Sequence, residues 1–349
     1  MATLETATVL RPQAQDAERL MQLASGMAFT AALQPIVRMG VPDVLANGPL
    51  PVSEIAAKTN NNPDALYRVM RLLASVGVFA ELPGKTFALT SVSDLLRSDV
   101  PGSMRSMVLW VSNPFHFKVW SEMAHSIRTG QPAVEKVCGQ SCFEAIFGDS
   151  EVAYDFNTAM TGFSRQIAPA LLENYDFSAI NVLMDIAGGH GAILCEVLSK
   201  YSKMKGILFD LPNVIQEANC HICSLKLDDR CQTIAGDFFQ EIPRGADAYY
   251  MQHILHDWAD EAALKILGHV RRALEGKKDG RLLVVESIVR EDSAPTPAKW
   301  IDIEMLLMPG GRERTEKEWR ELFGRAHFEV TQILPFNGMD SGVIEARPA

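Results

Sequence analysis

The 349-residue sequence has no apolar run that approaches the roughly 20 residues a transmembrane helix requires. It also has no long basic segment. Its net charge of −10 disfavours polyanionic partners such as nucleic acid or an anionic membrane surface. The first 19 residues lack a basic region followed by an apolar core, so we expect no signal peptide. These absences predict a cytoplasmic protein with neither a membrane nor a nucleic-acid partner.

Cysteine is sparse, with six residues in the whole chain. Cys220 and Cys223 form one C-x-x-C pair, but no second pair accompanies it, as a structural zinc site would require. The histidine of this segment lies inside the pair, whereas haem attachment needs it afterwards. We therefore interpret the cysteines as reduced, inert thiols.

The first half of the sequence is mostly helical in its pattern. Apolar residues recur at three- and four-residue spacing from Leu20 to about Phe177, and Pro35 is expected to kink or divide the first helix. Residues 51–90 read as helix, turn, helix and two short strands, which is a winged-helix order. The would-be recognition helix, residues 62–76, carries Arg68 and Arg71 but is apolar on most other faces. We therefore favour a structural or dimer-forming module over DNA binding.

The second half alternates between strands and helices. Five apolar segments, VLMDI, GILFD, CQTIAGD, DAYYMQ and RLLVVES, are each followed by a helical or turn segment, which predicts a parallel sheet. The last two strands, in HFEVTQILPF and GVIEARP, are joined too closely for a parallel crossover and should pair antiparallel. The predicted fold is α/β: a Rossmann-like seven-stranded domain, residues 178–349, after a winged-helix domain, residues 1–110, and a helical pocket segment, residues 111–177.

A glycine-rich turn follows the first of these strands, in the segment VLMDIAGGHGAILCEVL. Gly189 and Gly191 supply two glycines of a dinucleotide fingerprint, but Leu194 occupies the third position. A nucleoside ligand without phosphates needs the close backbone approach and not the full anion cradle. The pattern favours S-adenosylmethionine; an ordinary βα turn and a NAD site are the alternatives.

Acidic residues end several of the predicted strands. Asp185, Asp210 and Asp237 lie at carboxyl ends, the edge where open α/β sheets bind ligands. Asp210 is placed to hold a ribose, while Asp237 could accept from an adenine amine with Phe238 covering the base. Singly each acid is more often a helix cap, but jointly they predict cofactor contact.

Two histidines, His253 and His256, follow the fourth strand of this half. On a helix they would share a face, but no third metal ligand with convincing spacing accompanies them, so we expect no metal. An imidazole of ordinary pKa near 6.5 can instead take the proton of a hydroxyl as it is methylated. Glu286 and Glu313 are candidates to hold that imidazole. For Glu313, a surface ion pair with a neighbouring arginine is an equal alternative.

The segments GILFDLPNVIQEA, GDFFQEIPRGADAYYMQHILHDWADE and MPGGRERTEKEW resemble the plant-type and bacterial S-adenosylmethionine-dependent O-methyltransferases, from about Met21 to the C-terminus. That family includes caffeate, hydroxyindole and natural-product methyltransferases. The resemblance implies that His256 is the base, flanked by Glu286 and Glu313. It also implies that Met160 lies between cofactor and acceptor, and that the N-terminal half exchanges into a homodimer.

Two positions depart from the family pattern. Ala187 stands where glycine is usual, which is tolerable if its backbone φ stays negative. Gln252 replaces the lysine of many plant members, which weakens or alters the expected contact with the cofactor carboxylate. Because some bacterial relatives catalyse hydroxylation or decarboxylation, those reactions remain alternatives, as does N-methylation.

The predicted active site rests on these residues and on the family resemblance. Its catalytic residues are His256, Glu286 and Glu313, and its acceptor is a hydroxylated aromatic small molecule. Phe115, His116 and Trp120 are pocket candidates, although His116 reads more readily as structural. The predicted acceptor contacts are Met160, Phe163, Phe115, Met305 and Met308. The predicted cofactor contacts are Asp185, Ala187, Gly188, Gly189, Asp210, Leu211, Asp237, Phe238, Gln252 and Ser164.

Overall fold

The computed structural model describes residues 14–349, and the chain divides into two compact units between Asn113 and Pro114. No single helix among these residues is long and apolar enough to span a membrane; two helices at the start, separated by a 42° bend, reach that length and composition only together. They are α1 (Ala14–Ala24) and α2 (Gly26–Arg38). The bend falls at Ser25, and α2 continues through Pro35. Pro35 therefore does not divide the helix; the alternative, a kink at Pro35, stays a prediction.

The rest of the first unit has the predicted winged-helix order. Its small sheet has the strand order β1-β3-β2 and is antiparallel; the β2–β3 hairpin was predicted, and β1 was not. The Asn62 side chain accepts from two backbone N–H groups at the start of α5, which explains why that helix begins there. The elements are α3 (Val41–Val44), β1 (Leu50–Pro51), α4 (Val52–Thr59), α5 (Pro63–Ala74), β2 (Phe79–Leu82), β3 (Thr86–Leu89), α6 (Ser91–Asp94) and α7 (Arg105–Val111).

The would-be recognition helix α5 buries one stripe, formed by Leu66, Met70 and Leu73. Arg68 and Arg71 lie on its exposed side. Apolar residues at this spacing pack one helix face into a core, and that explains why α5 forms.

The second unit begins with five helices and continues as a seven-stranded sheet with helices between its strands. The helices are α8 (Pro114–Trp120), α9 (Met123–Thr129), α10 (Ala133–Cys138), α11 (Cys142–Phe147), α12 (Ser150–Asn174), α13 (Ala192–Lys200), α14 (Pro212–Ser224), α15 (Asp260–Ala273), α16 (Pro297–Leu307) and α17 (Glu316–Arg325). The strands are β4 (Val182–Ile186), β5 (Lys205–Asp210), β6 (Cys231–Ala235), β7 (Ala248–Gln252), β8 (Arg281–Ser287), β9 (Phe328–Pro335) and β10 (Ser341–Pro348).

The large sheet has the strand order β6-β5-β4-β7-β8-β10-β9. Strands β4 to β8 pair in parallel, and β10 is antiparallel to both β8 and β9. The predicted seven-stranded sheet and its antiparallel terminal pair are confirmed. The order 5-4-7 places β4 at the point where the chain reverses direction across the sheet, which is where ligands bind in open α/β folds.

Both faces of this sheet are covered by helices. Along β4, Leu183 faces one apolar core while Met184 faces the other, and the neighbouring strands alternate in the same way. Strands buried on both faces read as continuous apolar runs, which is why their sequence pattern was strong. The rigid sheet holds the carboxyl ends of β4, β5, β7 and β8 in fixed positions along one edge.

Candidate active site

The glycine turn after β4 brings the backbone close to the Asp185 side chain. A Cβ placed on Gly188 would overlap the Asp185 carboxyl group, so this position requires glycine. Gly189 and Gly191 have φ of 58° and 76°, and Gly191 caps the N-terminus of α13. The turn therefore exposes bare backbone at the sheet edge.

Ala187 differs from its expected conformation. Its φ is 55°, in the left-handed region, whereas the sequence argument required a negative angle. Its N–H donates to Phe209 O at 2.8 Å, which ties this residue to β5. A left-handed alanine costs about 1 kcal/mol, so the chain retains strain where a glycine would relieve it.

The Asp210 carboxylate is fixed from two sides at the end of β5. One oxygen accepts from Gly189 N at 2.8 Å and the other from Leu211 N at 2.7 Å. Burial raises the pKa of Asp210 despite these bonds. Asp185 is only 2% exposed, and burial, together with the charge of Asp210, raises its pKa well above the ordinary value. Asp185 is therefore enclosed beneath the turn, whereas Asp210 lies next to the exposed Leu211.

The other predicted cofactor residues lie at the neighbouring strand ends. Asp237 accepts from Phe239 N at 2.8 Å, which forms the turn that presents Phe238 against Trp258. The Gln252 side chain accepts from Tyr250 and donates to Ser164 Oγ at 3.4 Å, and so joins β7 to α12.

His256 lies in a short 3₁₀ helix, Leu255–Asp257, directly after β7 and is 8% exposed. Its Nδ1 is 2.7 Å from Oε1 of Glu313. The alternative of a surface ion pair for Glu313 is wrong, since Glu313 is 3% exposed. The arginines on either side of it bond elsewhere, to Glu318 and Asp260.

Glu286 holds the backbone of the same segment. Its Oε1 accepts from the backbone N–H groups of Ile254, Leu255 and His256 at 3.2, 2.9 and 3.3 Å. Its other oxygen is 3.8 Å from His256 Nδ1, beyond hydrogen-bond distance. Of the two acids proposed to hold the imidazole, only Glu313 bonds the ring, while Glu286 positions the loop.

The charges around His256 are arranged to keep the ring protonated. Burial alone would lower its pKa, but the carboxylates of Glu286, Glu313 and Asp257 outweigh burial and raise the pKa to about 10. Asp257 Oδ1 is 3.4 Å from Nε2, the nitrogen that Glu313 leaves free. Burial raises the pKa of Glu286 to about 8, and His256 lowers that of Glu313 although burial opposes it. His256 is thus a positively charged group at neutral pH, held beside the Glu313 carboxylate in a buried cluster of acids.

His253 lies next to this cluster in a left-handed conformation, with φ of 50°. Burial, together with the charge of His256, lowers its pKa to about 3, which keeps the ring neutral. In the fold, one potential ligand atom each of His253, His256 and Glu313 lies within 4.8 Å of the other two. The spacing along the sequence offered no third ligand for the pair, whereas the fold places the Glu313 carboxylate beside both histidines.

Comparison with known proteins agrees with this geometry. Residues 120–329 match the O-methyltransferase domain model, and residues 21–99 match the O-methyltransferase dimerisation domain. The chain belongs to the O-methyltransferase family. It is 36% identical to the phenazine O-methyltransferase PhzM of Lysobacter antibioticus over 329 residues, which cover 94% of this chain and 95% of that protein.

Two further proteins are similar to this chain over nearly its whole length. The 8-amino-8-demethylriboflavin N,N-dimethyltransferase of Streptomyces davaonensis is 32% identical over 96% of this chain and of that protein. The crystal structure of human N-acetylserotonin methyltransferase in complex with SAM aligns with a TM-score of 0.87 and 26% identity, covering 97% of this chain and 99% of that one. The chain is therefore an S-adenosylmethionine-dependent O-methyltransferase, as the sequence resemblance implied.

Several residues that support this O-methyltransferase site were missed by sequence reasoning. A Cβ on Gly311 would overlap the backbone of His256 and Asp257, so the PGG segment packs directly beneath the histidine. Asp302 accepts from Glu313 N at 2.9 Å, and the buried Arg314 donates to Leu255 O and Trp258 O. The double glycine before the R-E-R triplet was the available signal.

The predicted acceptor residues are grouped only in part. Met305 and Met308 are buried at the end of α16, and the Phe163 ring is centred 5.0 Å from that of His253. Met160 lies one helical turn before Phe163 on α12, and Phe115 is partly buried on α8. His116 and Trp120 both bond the Glu304 carboxylate, at 2.7 Å each, which supports a structural interpretation of both.

Proposed function

We propose that this enzyme methylates a hydroxyl group of an aromatic small molecule, with His256 as general base and without a required metal. The observation that carries the proposal is the 2.7 Å contact between His256 Nδ1 and the buried Glu313 carboxylate. It fixes the ring orientation and leaves Nε2 for the acceptor. A carboxylate in this position stabilises the imidazolium that forms when the base takes a proton.

The residues at the sheet edge fit the cofactor. Asp210, held by two backbone N–H groups, retains lone pairs for the ribose hydroxyls, and the bare backbone at Gly188 and Gly189 admits close approach. Leu211 is 47% exposed beside this carboxylate and offers an apolar contact. We assign the adenine to Asp237 and Phe238. Bound S-adenosylmethionine supplies an electrophilic sulfonium methyl group.

Gln252 and Ser164 are the proposed contacts for the amino-acid end of the cofactor. The hydrogen bond between them, at 3.4 Å, joins β7 to α12. A neutral amide there replaces the lysine of many plant members and binds a carboxylate by hydrogen bonds alone. Asp185 and Ala187 hold the glycine turn in place, and they contribute to cofactor binding by fixing the conformation of that turn.

Two proton transfers involve His256, and they occur in a defined order. With its pKa near 10, His256 carries a proton at neutral pH before any ligand binds, so the ring must first release that proton to solvent water to act as a base. A phenol also has a pKa of about 10, so an exchange of the proton between the two groups costs little free energy. The oxygen–methyl bond would form as the sulfur–methyl bond of the donor breaks, with that electron pair left on sulfur. His256 Nε2 then accepts the hydroxyl proton, and Glu313 balances the resulting charge.

The acceptor pocket is proposed to consist of apolar side chains around His256. Met305, Met308, Met160, Phe163 and Phe115 suit a flat aromatic ring, because thioether and phenyl groups adapt to its faces. The phenazine substrate named for the Lysobacter relative is a compound of this kind. Proximity and exclusion of water then supply much of the rate.

We also propose a homodimer. Residues 21–99 match a dimerisation domain, and α1 with the start of α2 exposes Leu20, Met21, Leu23 and Met27, each 65–70% accessible. Apolar residues exposed in this density mark an interaction surface. Light scattering of the purified protein should give twice the chain mass.

Two alternative reactions are separated by one experiment. N-methylation is favoured by the relationship to the N,N-dimethyltransferase, and hydroxylation or decarboxylation would use the same scaffold. The enzyme is incubated with labelled methyl donor and a panel of phenols, flavonoids, phenazines and quinones, together with their amino analogues. A labelled methyl ether supports the proposal. A labelled amine supports N-methylation, and a product without the label would exclude methyl transfer to that acceptor.

A further inference from the structure

The proposed base, His256, lies in a cluster with a second imidazole, that of His253, and with the carboxylates of Glu286 and Glu313. One ring nitrogen each from His253 and His256 and one carboxylate oxygen of Glu313 lie within 4.8 Å of one another. Their side chains are 11%, 10% and 0% exposed. Three potential ligands held this closely in a buried position form a preorganised donor set.

Glu286 places a second carboxylate next to these three groups. Its Oε2 is 3.6 Å from His253 Nδ1 and 3.8 Å from His256 Nδ1, and it has no hydrogen-bond partner among residues 14–349. Nε2 of His253 also lacks one within the same range. A buried oxygen without a partner carries a large free-energy cost, which a bound cation would remove.

We propose that His253, His256 and Glu313 bind a transition-metal ion of the Zn²⁺ type, with Glu286 balancing its charge, and that this ion inhibits the enzyme. Two imidazoles and one carboxylate are a donor set that zinc accepts with a fourth position open. Mg²⁺ prefers oxygen ligands in octahedral geometry and does not fit. Binding itself is independent of the proposed reaction, whereas the inhibition rests on the proposed role of His256.

The required movements are small. Zinc–nitrogen and zinc–oxygen distances of about 2.0–2.2 Å place tetrahedral ligand atoms about 3.3 Å apart. The His256–Glu313 pair must open from 2.7 Å, and the remaining separations must close from at most 4.8 Å. Side-chain rotations achieve this without movement of the backbone, which Glu286 Oε1 and the Val285 carbonyl hold in place.

Inhibition follows from the tautomer of His256. An ion on Nδ1 replaces the proton shared with Glu313, so the one proton of the neutral ring lies on Nε2. That nitrogen then donates a hydrogen bond and no longer accepts a proton, which removes the base. His253 has no part in the proposed methyl transfer and is therefore the ligand that discriminates metal binding from catalysis.

The test uses the full-length enzyme, freed of metal by a chelator and titrated with Co²⁺ as a visible probe, then with Zn²⁺ in competition. We expect the absorption of a four-coordinate Co²⁺ site with a micromolar Kd, loss of that absorption on addition of Zn²⁺, and no competition by Mg²⁺. His253→Asn should weaken binding at least about tenfold, since loss of even a supporting residue costs that much. Asparagine tolerates the left-handed backbone of this position.

His327→Asn is the matched control, because His327 also has a left-handed φ, of 58°, and lies in the turn before β9. It should bind Co²⁺ as the unchanged enzyme does. Equal affinity in the His253 variant, or no visible absorption at millimolar Co²⁺, would overturn the site. An increase in methyl-transfer rate with Zn²⁺ would instead overturn the inhibitory role, and absence of methyl transfer with every acceptor would contradict the proposed function while leaving the binding result intact.

Discussion

His256 Nδ1 and Glu313 Oε1 lie 2.7 Å apart, although 57 residues separate them in the chain. The histidine follows β7 and the acid precedes α17, so only the packed fold brings them together. Glu286 holds the backbone of the histidine segment, and the bond from Glu313 orients the ring. The two acids therefore have separate tasks: one fixes the ring and the other fixes the loop.

Replacing His256 tests its proposed role as the general base. His256→Asn should lower kcat by about 10²–10⁴-fold, the usual contribution of a general base, because no group then accepts the hydroxyl proton. Affinity for S-adenosylmethionine, measured by calorimetry, should remain within about twofold, since the cofactor residues lie at other strand ends. Turnover close to that of the unchanged enzyme would contradict the mechanism.

The pH dependence of kcat/KM tests the charge arrangement. The pKa of His256 is about 10, above its ordinary 6.5, so the base form increases as pH rises. In chelator-treated buffer, with a phenolic acceptor, kcat/KM should therefore increase from pH 6 towards pH 10. A bell centred near pH 6.5 would show that the carboxylates do not raise the pKa.

Glu313→Gln gives the matched comparison for that profile. The amide keeps the shape and can still bond Nδ1, but it removes one negative charge beside the ring. Since an adjacent opposite charge shifts a pKa by about 1–3 units, the rising part of the profile should move to lower pH by about one unit or more. A purely structural role for Glu313 would lower the rate and leave the profile at the same pH.

Much of the fold follows from the sequence, because its strands are buried on both faces and leave strong apolar runs. The position of β10 between β8 and β9 was not predicted, since strand order depends on packing and not on the local pattern. The small strand β1 also escaped prediction. It has only two residues and pairs with β3, so nothing in its own composition identifies it.

The site was predicted less completely than the fold. His256 and the two acids were proposed from their segments and lie together in the fold, but the different contacts of Glu286 and Glu313 depend on distances of about an ångström. The sequence also gave no sign that Glu313 would lie near His253. Spacing along the chain carries no information on contacts between distant segments, so the sequence argument about metal ligands did not include Glu313.

A further prediction concerns the packing of Gly311 beneath His256. Gly311→Ala should destabilise the fold by about 1–3 kcal/mol and lower kcat, because its methyl group would push against the His256 carbonyl. Chemical denaturation and steady-state rates measure both effects. Gly268→Ala, in the middle of α15 with open space around it, should instead stabilise the protein by up to about 1 kcal/mol.

The last prediction concerns the strained Ala187 in the turn at the proposed cofactor site. Ala187→Gly should stabilise the enzyme by about 0.5–1 kcal/mol, because relief of the left-handed alanine exceeds the added freedom of the unfolded chain. The measurement is the free energy of unfolding in urea. Lys226→Gly, at φ of 56° after α14, is the control for the backbone effect alone. If both changes stabilise equally, the strain at residue 187 is an ordinary turn cost; if only Ala187→Gly also alters the affinity for S-adenosylmethionine, the turn geometry is adjusted to the cofactor.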